Sequence, residues 1–366
     1  MTLLSIGVRP NNKIAKDEGF SLNKRGGIVA DDLCQTDDKD IYAVGDVIGV
    51  KDFINGNETM IPLAGPANKQ GRAVAANMLG KKEEKYRSTI GTSVARIFDL
   101  TVSAVGSNEK ILKREGYVYK KDYYVVILHP MSHAGYFPGA LPMTIKLIFT
   151  SDGEILGGQI VGYDGVDKRI DTLVAIIYFK GSVYDLSKLE LAYAPPYSSA
   201  KDTMNFVGYL ATNVLENLTD PVLVSEYLEN KEKYQLLDMR EKEEPIAGSI
   251  PSSINILLTK LRNRLGELSK EKHYLVYCAV GLRGYISERI LKQKGFKVSN
   301  LIGGYRTYMD LTEDSFADSI NTSQDKFEGG KEAVENSQAY NIIELLNVCG
   351  LSCHGSIVGV SKKYKR

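Results

Sequence analysis

The sequence predicts a protein of α/β and α+β class built from several domains. After about residue 213, short apolar runs alternate with amphipathic helical ones, the pattern of a parallel sheet flanked by helices. Residues 89–212 instead hold strand-like runs joined by tight turns, with helices beside them, which suggests an α+β domain. At 366 residues there is room for two or three domains. The net charge of +1 gives no broad field for nucleic acid or an anionic membrane, so neither is expected as a partner. No apolar run is long enough to span a bilayer. Four cysteines in so long a chain do not make a disulfide framework, and a reducing cytoplasm is the expected setting.

Residues 1–88 read as strand, loop, strand and helix. Ile28 to Ala30 is a short strand, and Ile41 to Asp46 a buried one ending in Gly-Asp. Pro66 sits at a helix start, where its missing N–H costs nothing. That helix runs to about Leu79 and Gly80 caps it, with Ala67, Gly71, Val74 and Met78 as the inner stripe. In residues 89–212, Thr101 to Val105 and Tyr117 to Leu128 are strand-like. Met143 to Phe149 puts Ile145, Leu147 and Phe149 on one face, and Ser151-Asp-Gly153 turns the chain into Ile155 to Val161. Ile170 to Phe179 is an apolar helix ended by Gly181. In residues 213–311, Gln235 to Leu237 leads into Asp238, and Tyr274 to Tyr277 into Cys278. Tyr285 to Lys294 is a helix with Ile286, Ile290 and Leu291 inward, capped by Gly295. Residues 312–339 are polar and acidic, a linker, and residues 340–366 begin something new. The chain opens on a strand without lead-in and closes on the start of a helix, as a cut through domain interiors would give.

The densest chemistry lies in Cys278-Ala-Val-Gly-Leu-Arg283-Gly. A thiol at a strand's carboxyl end meets a short glycine loop and a helix start. Unpaired N–H groups and the helix dipole favour an anion there, so the cysteine should be thiolate-prone. Read alone, a cysteine at a strand end is more often a buried structural one. Asp238 and Arg240 end another strand and share the same rim. Together with Leu301-Ile-Gly-Gly-Tyr-Arg306, these segments resemble a rhodanese domain. The resemblance implies a Cys278 persulfide cradled by loop N–H groups and Arg283, with Asp238 and Arg240 holding the loop by ion pairs. The loop is one residue shorter than the related arsenate- and phosphate-handling loops, which favours sulfur transfer. Ala247-Gly-Ser249-Ile-Pro departs from the family's usual Gly-His-Ile-Pro.

Gly45-Asp46 lets a ligand approach the backbone beside a carboxylate, although the residues alone fit a turn or cap aspartate as well. Thr36 to Asp46 resembles the second flavin motif of pyridine-nucleotide disulfide reductases, which implies Asp46 on the ribityl chain of FAD. Pro62-Leu63-Ala64-Gly-Pro66 to Arg72 resembles the segment that sets a helix start against the flavin, and Ile6 to Pro10 the return from the nicotinamide domain. There are 22 tyrosines, most of them packing residues. His133-Ala-Gly-Tyr136, Tyr193-Ala-Pro-Pro-Tyr197 and Gly162 to Asp171 resemble the dimerisation domain of coenzyme A-disulfide reductases and NADH oxidases. That implies a homodimer through residues 89–212, with Tyr136, Tyr193 and Tyr197 reaching the other subunit's site as proton donors near sulfur. Cys349-x3-Cys353-His354 lacks a second ligand pair for zinc, so no metal is expected. The segment resembles the start of a TusA-type sulfur carrier, with Cys353 as carrier and His354 and Ser356 in place of two prolines.

There is no G-x-G-x-x-G and no P-loop, and residues 1–60 hold no match to the flavin-side redox cysteine. The expectation is the C-terminal portion of a coenzyme A-disulfide or persulfide reductase fused to a rhodanese. It would use FAD, NAD(P)H and coenzyme A and act on persulfide, polysulfide or CoA disulfide. A free-standing sulfurtransferase and a dimerising scaffold are the alternatives.

Overall fold

The computed structural model describes residues 8–80 and 84–312. Its elements in chain order are α1 (Lys13–Asp17), β1 (Val50–Lys51), β2 (Glu58–Thr59), α2 (Ala64–Met78), β3 (Ser93–Ile97), β4 (Leu100–Gly106), α3 (Glu109–Arg114), β5 (Tyr124–Leu128), β6 (Met143–Phe149) and β7 (Ile155–Gly162). There follow α4 (Val166–Tyr178), α5 (Val183–Lys188), α6 (Thr203–Leu215), β8 (Pro221–Val222), α7 (Val224–Glu229), β9 (Gln235–Asp238), β10 (Ile254–Asn255), β11 (His273–Tyr277), α8 (Leu282–Gln293), β12 (Lys297–Leu301) and α9 (Gly304–Thr312).

Residues 8–88 depart most from expectation. Ile28 makes single bridges to Leu22 and Ile48 rather than a strand. Ile41 to Asp46 is not a buried strand, because Tyr42 bridges only Gln35 and Ile41 and Val44 are exposed. A strand is buried only when neighbours cover it, and among the described residues none flanks this one. The inner face of α2 is Gln70, Ala73 and Val74, while Met78 is exposed. Polar fastenings set that rotation. Gln70 Oε1 accepts the Gly45 N–H at 2.7 Å, and Asn77 Nδ2 donates to the carbonyls of Leu33 and Glu84.

Residues 93–162 form an antiparallel sheet of order β3-β4-β7-β6-β5. Ile145, Leu147 and Phe149 face one side as expected and pack on Ile170, Leu173 and Ile177 of α4 and Val207 and Ala211 of α6. The opposite face is buried too. Ile148, Val125 and Ile127 meet Leu223 and Ile302 from the next domain. Every residue of β6 and β7 is consequently buried. Lys146, on that second face, survives burial by pairing with Glu109. The strand expected over 117–128 begins only at Tyr124, since Lys120 takes a positive φ of 63° in a preceding turn.

Residues 221–301 form a parallel sheet of order β10-β9-β11-β12-β8. Alternation sends Tyr274, Val276 and Cys278 to one side with Ile290 and Leu291 of α8. It sends Leu275 and Tyr277 to the other, with Val224 and Tyr227 of α7. Ile286, expected inward on α8, is instead partly exposed, because Ser287 and Glu288 take the buried side with Gly284. Glu288 is kept there by Lys292, Thr219 and the Asp220 N–H. The opening and closing segments, the linker over 313–339 and all of 340–366 lie outside the described residues.

His129 spans the two domains. Its Nδ1 lies 2.9 Å from Thr144 Oγ1 and its Nε2 2.7 Å from Thr307 Oγ1. Burial, and then the Arg306 guanidinium, hold its pKa down to about 3. An unfolded histidine protonates near 6.5. Between those values the unfolded chain binds the extra proton. This component of stability is therefore intact above about pH 6.5 and falls as pH drops, by at most about 1.4 kcal/mol per pH unit. His129→Gln should lose less urea stability than the parent between pH 7 and pH 5, and equal losses would contradict the assignment.

Candidate active site

Cys278 directly follows β11 and its side chain is buried. The Gly281 N–H donates to its Sγ at 3.2 Å. Gly281 is the N-cap of α8 at φ +119°, a backbone that side chains rarely tolerate. No side chain caps this helix and no acid lies in its first turn. Its leading N–H groups are thus available to an anion on sulfur.

Arg283 lies in the first turn and forks onto Glu244, with Nη1 to Oε2 at 2.6 Å and Nη2 to Oε1 at 2.8 Å. That bidentate bond, and then the nearby Cys278, raise the Arg283 pKa. The same bond lowers that of Glu244. Glu244 was not expected, since nothing local marks a partner 39 residues from Arg283.

Asp238 and Arg240 bind each other rather than sulfur. Arg240 Nη2 reaches Asp238 Oδ2 at 2.6 Å and the Gly248 carbonyl at 2.8 Å. The guanidinium lies 4.2 Å from the centre of the Tyr305 ring, and Tyr277 OH donates to Asp238 at 2.9 Å. The pair thereby pins the 239–250 segment beside β11. From the other side, the N–H of Tyr305 donates to the Cys278 carbonyl at 2.8 Å, and that of Arg306 to the Ala279 carbonyl at 3.0 Å. Gly303 and Gly304 make the turn at φ +72° and +63°. A side chain on Gly304 would strike the Cys278 carbonyl. The Gly-Gly pair was visible in the sequence, but its seat against Cys278 is a tertiary contact.

The tyrosines form a second locus on another domain. Tyr136 OH and Tyr193 OH lie 2.7 Å apart, and both are exposed. This bond raises the Tyr193 pKa. Tyr197 is 72% exposed. A buried ion pair joins the loops beneath them, Arg169 Nη2 to Asp202 Oδ2 at 3.0 Å. Arg169 also donates to the Ser132 carbonyl at 2.8 Å, and Asp202 accepts from Ser198 Oγ at 2.5 Å. The Ala134 N–H closes the bracket on the Ser198 carbonyl at 3.1 Å.

The third locus is Gly45-Asp46. Gly45 has φ +84°, and a Cβ there would come 3.9 Å from Ala67 in the first turns of α2. Asp46 is exposed in the turn Gly45–Val47. Leu63 caps α2 without a side-chain bond, and Ala64 opens it exposed. An accessible carboxylate beside an uncapped helix start fits the polyol and ring end of a flavin. Cys34 has a backbone φ of +65°, is buried and is pushed up to about 11 by burial and then by Asp31 and Asp32, the reverse of an activated thiol. Cys349 and Cys353 lie outside the described residues. Among the described residues no group of three or more His, Cys, Asp or Glu could hold a metal. No helix of the described residues is long and apolar enough to cross a membrane.

Known families match the chain in sequence order. They are pyridine nucleotide-disulphide oxidoreductase over residues 1–71, its dimerisation domain over 92–205, and the rhodanese-like domain over 223–310. The three matches stand in the order of a pyridine nucleotide-disulphide oxidoreductase carrying a rhodanese module, the first of them reaching this chain over residues 1–71. More particularly, it is similar to reduced Bacillus anthracis CoADR-RHD, at 48% identity and TM-score 0.81 over 84% of this chain and 55% of that one. It is similar also to the NAD-dependent persulfide reductase from A. fulgidus, at 36% identity and TM-score 0.74 over 81% and 53%. The coenzyme A disulfide reductase of Staphylococcus aureus (strain bovine RF122 / ET3-1) is 32% identical over 212 residues, 58% of this chain and 47% of the relative. The chain spans about half the length of the curated relatives it matches.

Arg240→Met should cost about 3–5 kcal/mol in urea unfolding, because it leaves Asp238 charged, buried and unpaired. A loss under about 1 kcal/mol would contradict this role, being the size of an exposed pair.

Proposed function

We propose that this chain is part of an FAD- and NAD(P)H-dependent reductase of persulfides, polysulfides or coenzyme A disulfide, with sulfur transfer through a Cys278 persulfide. The observation that carries it is the Cys278 Sγ held by the Gly281 N–H at the uncapped start of α8, beside Arg283. The Cys278 thiolate attacks the outer sulfur of R–S–SH. The new bond joins Cys278 Sγ to that outer sulfur, the S–S bond of the persulfide breaks, and R–S⁻ leaves. An acceptor thiolate then takes the outer sulfur and returns Cys278 as thiolate, so no net redox change occurs. Loop N–H groups and Arg283 stabilise the charge on sulfur in both steps. Asp238 and Arg240 act by holding the loop.

Asp46, Gly45, Leu63 and Ala64 would hold FAD, which when bound supplies reducing equivalents drawn from NAD(P)H. The hydrogen-bonded Tyr136 and Tyr193 hydroxyls could protonate a departing thiolate such as that of coenzyme A, and Tyr197 follows on the same loop as Tyr193. Their exposure suits a homodimer formed through residues 89–212, in which they meet the partner's site. Cys353 would serve as a downstream carrier. Reduced thiols suit the cytoplasm.

A sulfurtransferase acting without the reductase is the second reading, favoured by a Cys278 loop whose direct hydrogen-bond partners, Glu244, Tyr305 and Arg306, lie in the rhodanese domain itself. Cys278→Ser should abolish sulfur transfer from thiosulfate or a persulfide to a thiol acceptor while circular dichroism stays unchanged. Full retention of transfer would remove Cys278 from the reaction. Flavin carried through purification separates the two readings, since only the first requires it.

A further inference from the structure

We propose that His129, from the dimerisation domain, is a positioning residue for the Cys278 loop of the rhodanese domain. The proposal rests on the reading that Cys278 is the sulfur nucleophile. His129 follows β5 and lies between two hydroxyls, Thr144 Oγ1 on β6 at 2.9 Å and Thr307 Oγ1 on α9 at 2.7 Å. Thr144 is buried within a strand covered on both faces, so this end is rigid. Thr307 is fully buried in the first turns of α9.

That turn is the element whose N–H groups hold the Cys278 and Ala279 carbonyls. Gly303 lies against the same contact, since a Cβ there would collide with Thr307 Oγ1 and come within 3.1 Å of His129 Nε2. Imidazole, two hydroxyls and the Gly-Gly turn leave no slack between β6 and the sulfur loop. Removing the ring lets the start of α9 shift. The carbonyls it holds then shift, and with them the Gly281 N–H on sulfur. Ile302 packs beside Ile148 and Ile127 and keeps the domains together when the ring is lost. The effect should therefore fall on reactivity more than on folding.

The test compares His129→Ala, His129→Gln and Thr307→Val in the full chain. One readout is the pH profile of Cys278 alkylation by iodoacetamide, followed on the Cys278 peptide by mass spectrometry. The other is the kcat and KM of sulfur transfer from thiosulfate. His129→Ala and Thr307→Val should slow kcat by about tenfold or more at little-changed KM, and move the alkylation profile to higher pH. His129→Gln, which can still bond both hydroxyls, should recover most of the loss. Unchanged alkylation profiles in folded His129→Ala and Thr307→Val would overturn the proposal, as would a loss that Gln does not relieve. If the parent transfers no sulfur, the reading of Cys278 fails, and the alkylation profiles alone still decide the role of His129.

Discussion

The structure depends on a sheet whose central strands β6 and β7 are buried on both faces. The antiparallel sheet of residues 93–162 has α4 and α6 on one side and the rhodanese domain on the other. A sheet with water on one side would alternate apolar and polar residues, but β6 and β7 are buried throughout. Burial of the second face obliges its polar residues to find partners. Lys146 takes Glu109, and Thr144 takes His129. The partners of that face in turn fix Leu223 and Ile302, which flank the parallel sheet of the next domain.

The sulfur loop inherits this order from several sides. The buried Asp238–Arg240 pair, the α8 start and the Gly303–Gly304 turn all adjoin it. The ion pair and the Gly-Gly turn determine where the Gly281 N–H and the Arg283 fork of the α8 start stand relative to Sγ. A buried ion pair does little for net stability, but breaking it on one side is costly, which suits a fastening that must not slip. The Arg169–Asp202 pair plays the same part beneath Tyr136 and Tyr193. Two exposed hydroxyl groups are brought together there by charges that never reach the surface.

Much of this was legible in the sequence where the signal is local. The apolar run over 274–277 announces a strand, and Gly281 with Arg283 announces a turn into a helix. The facing of Ile145, Leu147 and Phe149 was equally plain, since period two needs only neighbours. What failed was set by distant groups. Lys146, in mid-strand, is buried against Glu109 of α3, a partner that alternation along β6 does not mark. The stripe of α2 was misplaced because Gln70 and Asn77 act through hydrogen bonds to loops far away in sequence, which periodicity cannot register. Ile286 yielded its inward place to Glu288, whose partners Thr219 and Asp220 lie about seventy residues earlier. Glu244 and His129 escaped notice for the same reason.

The central claim is that the doubly buried sheet ties the dimerisation and rhodanese domains into one cooperative unit. Native-state hydrogen exchange tests it most directly, comparing β6 (Met143–Phe149) with β11 (His273–Tyr277) at increasing urea. If the two domains are one unit, both strands open in a single step with the same free energy and the same urea dependence. Exchange of β11 through an opening that leaves β6 protected would show that the rhodanese domain merely rests on the sheet.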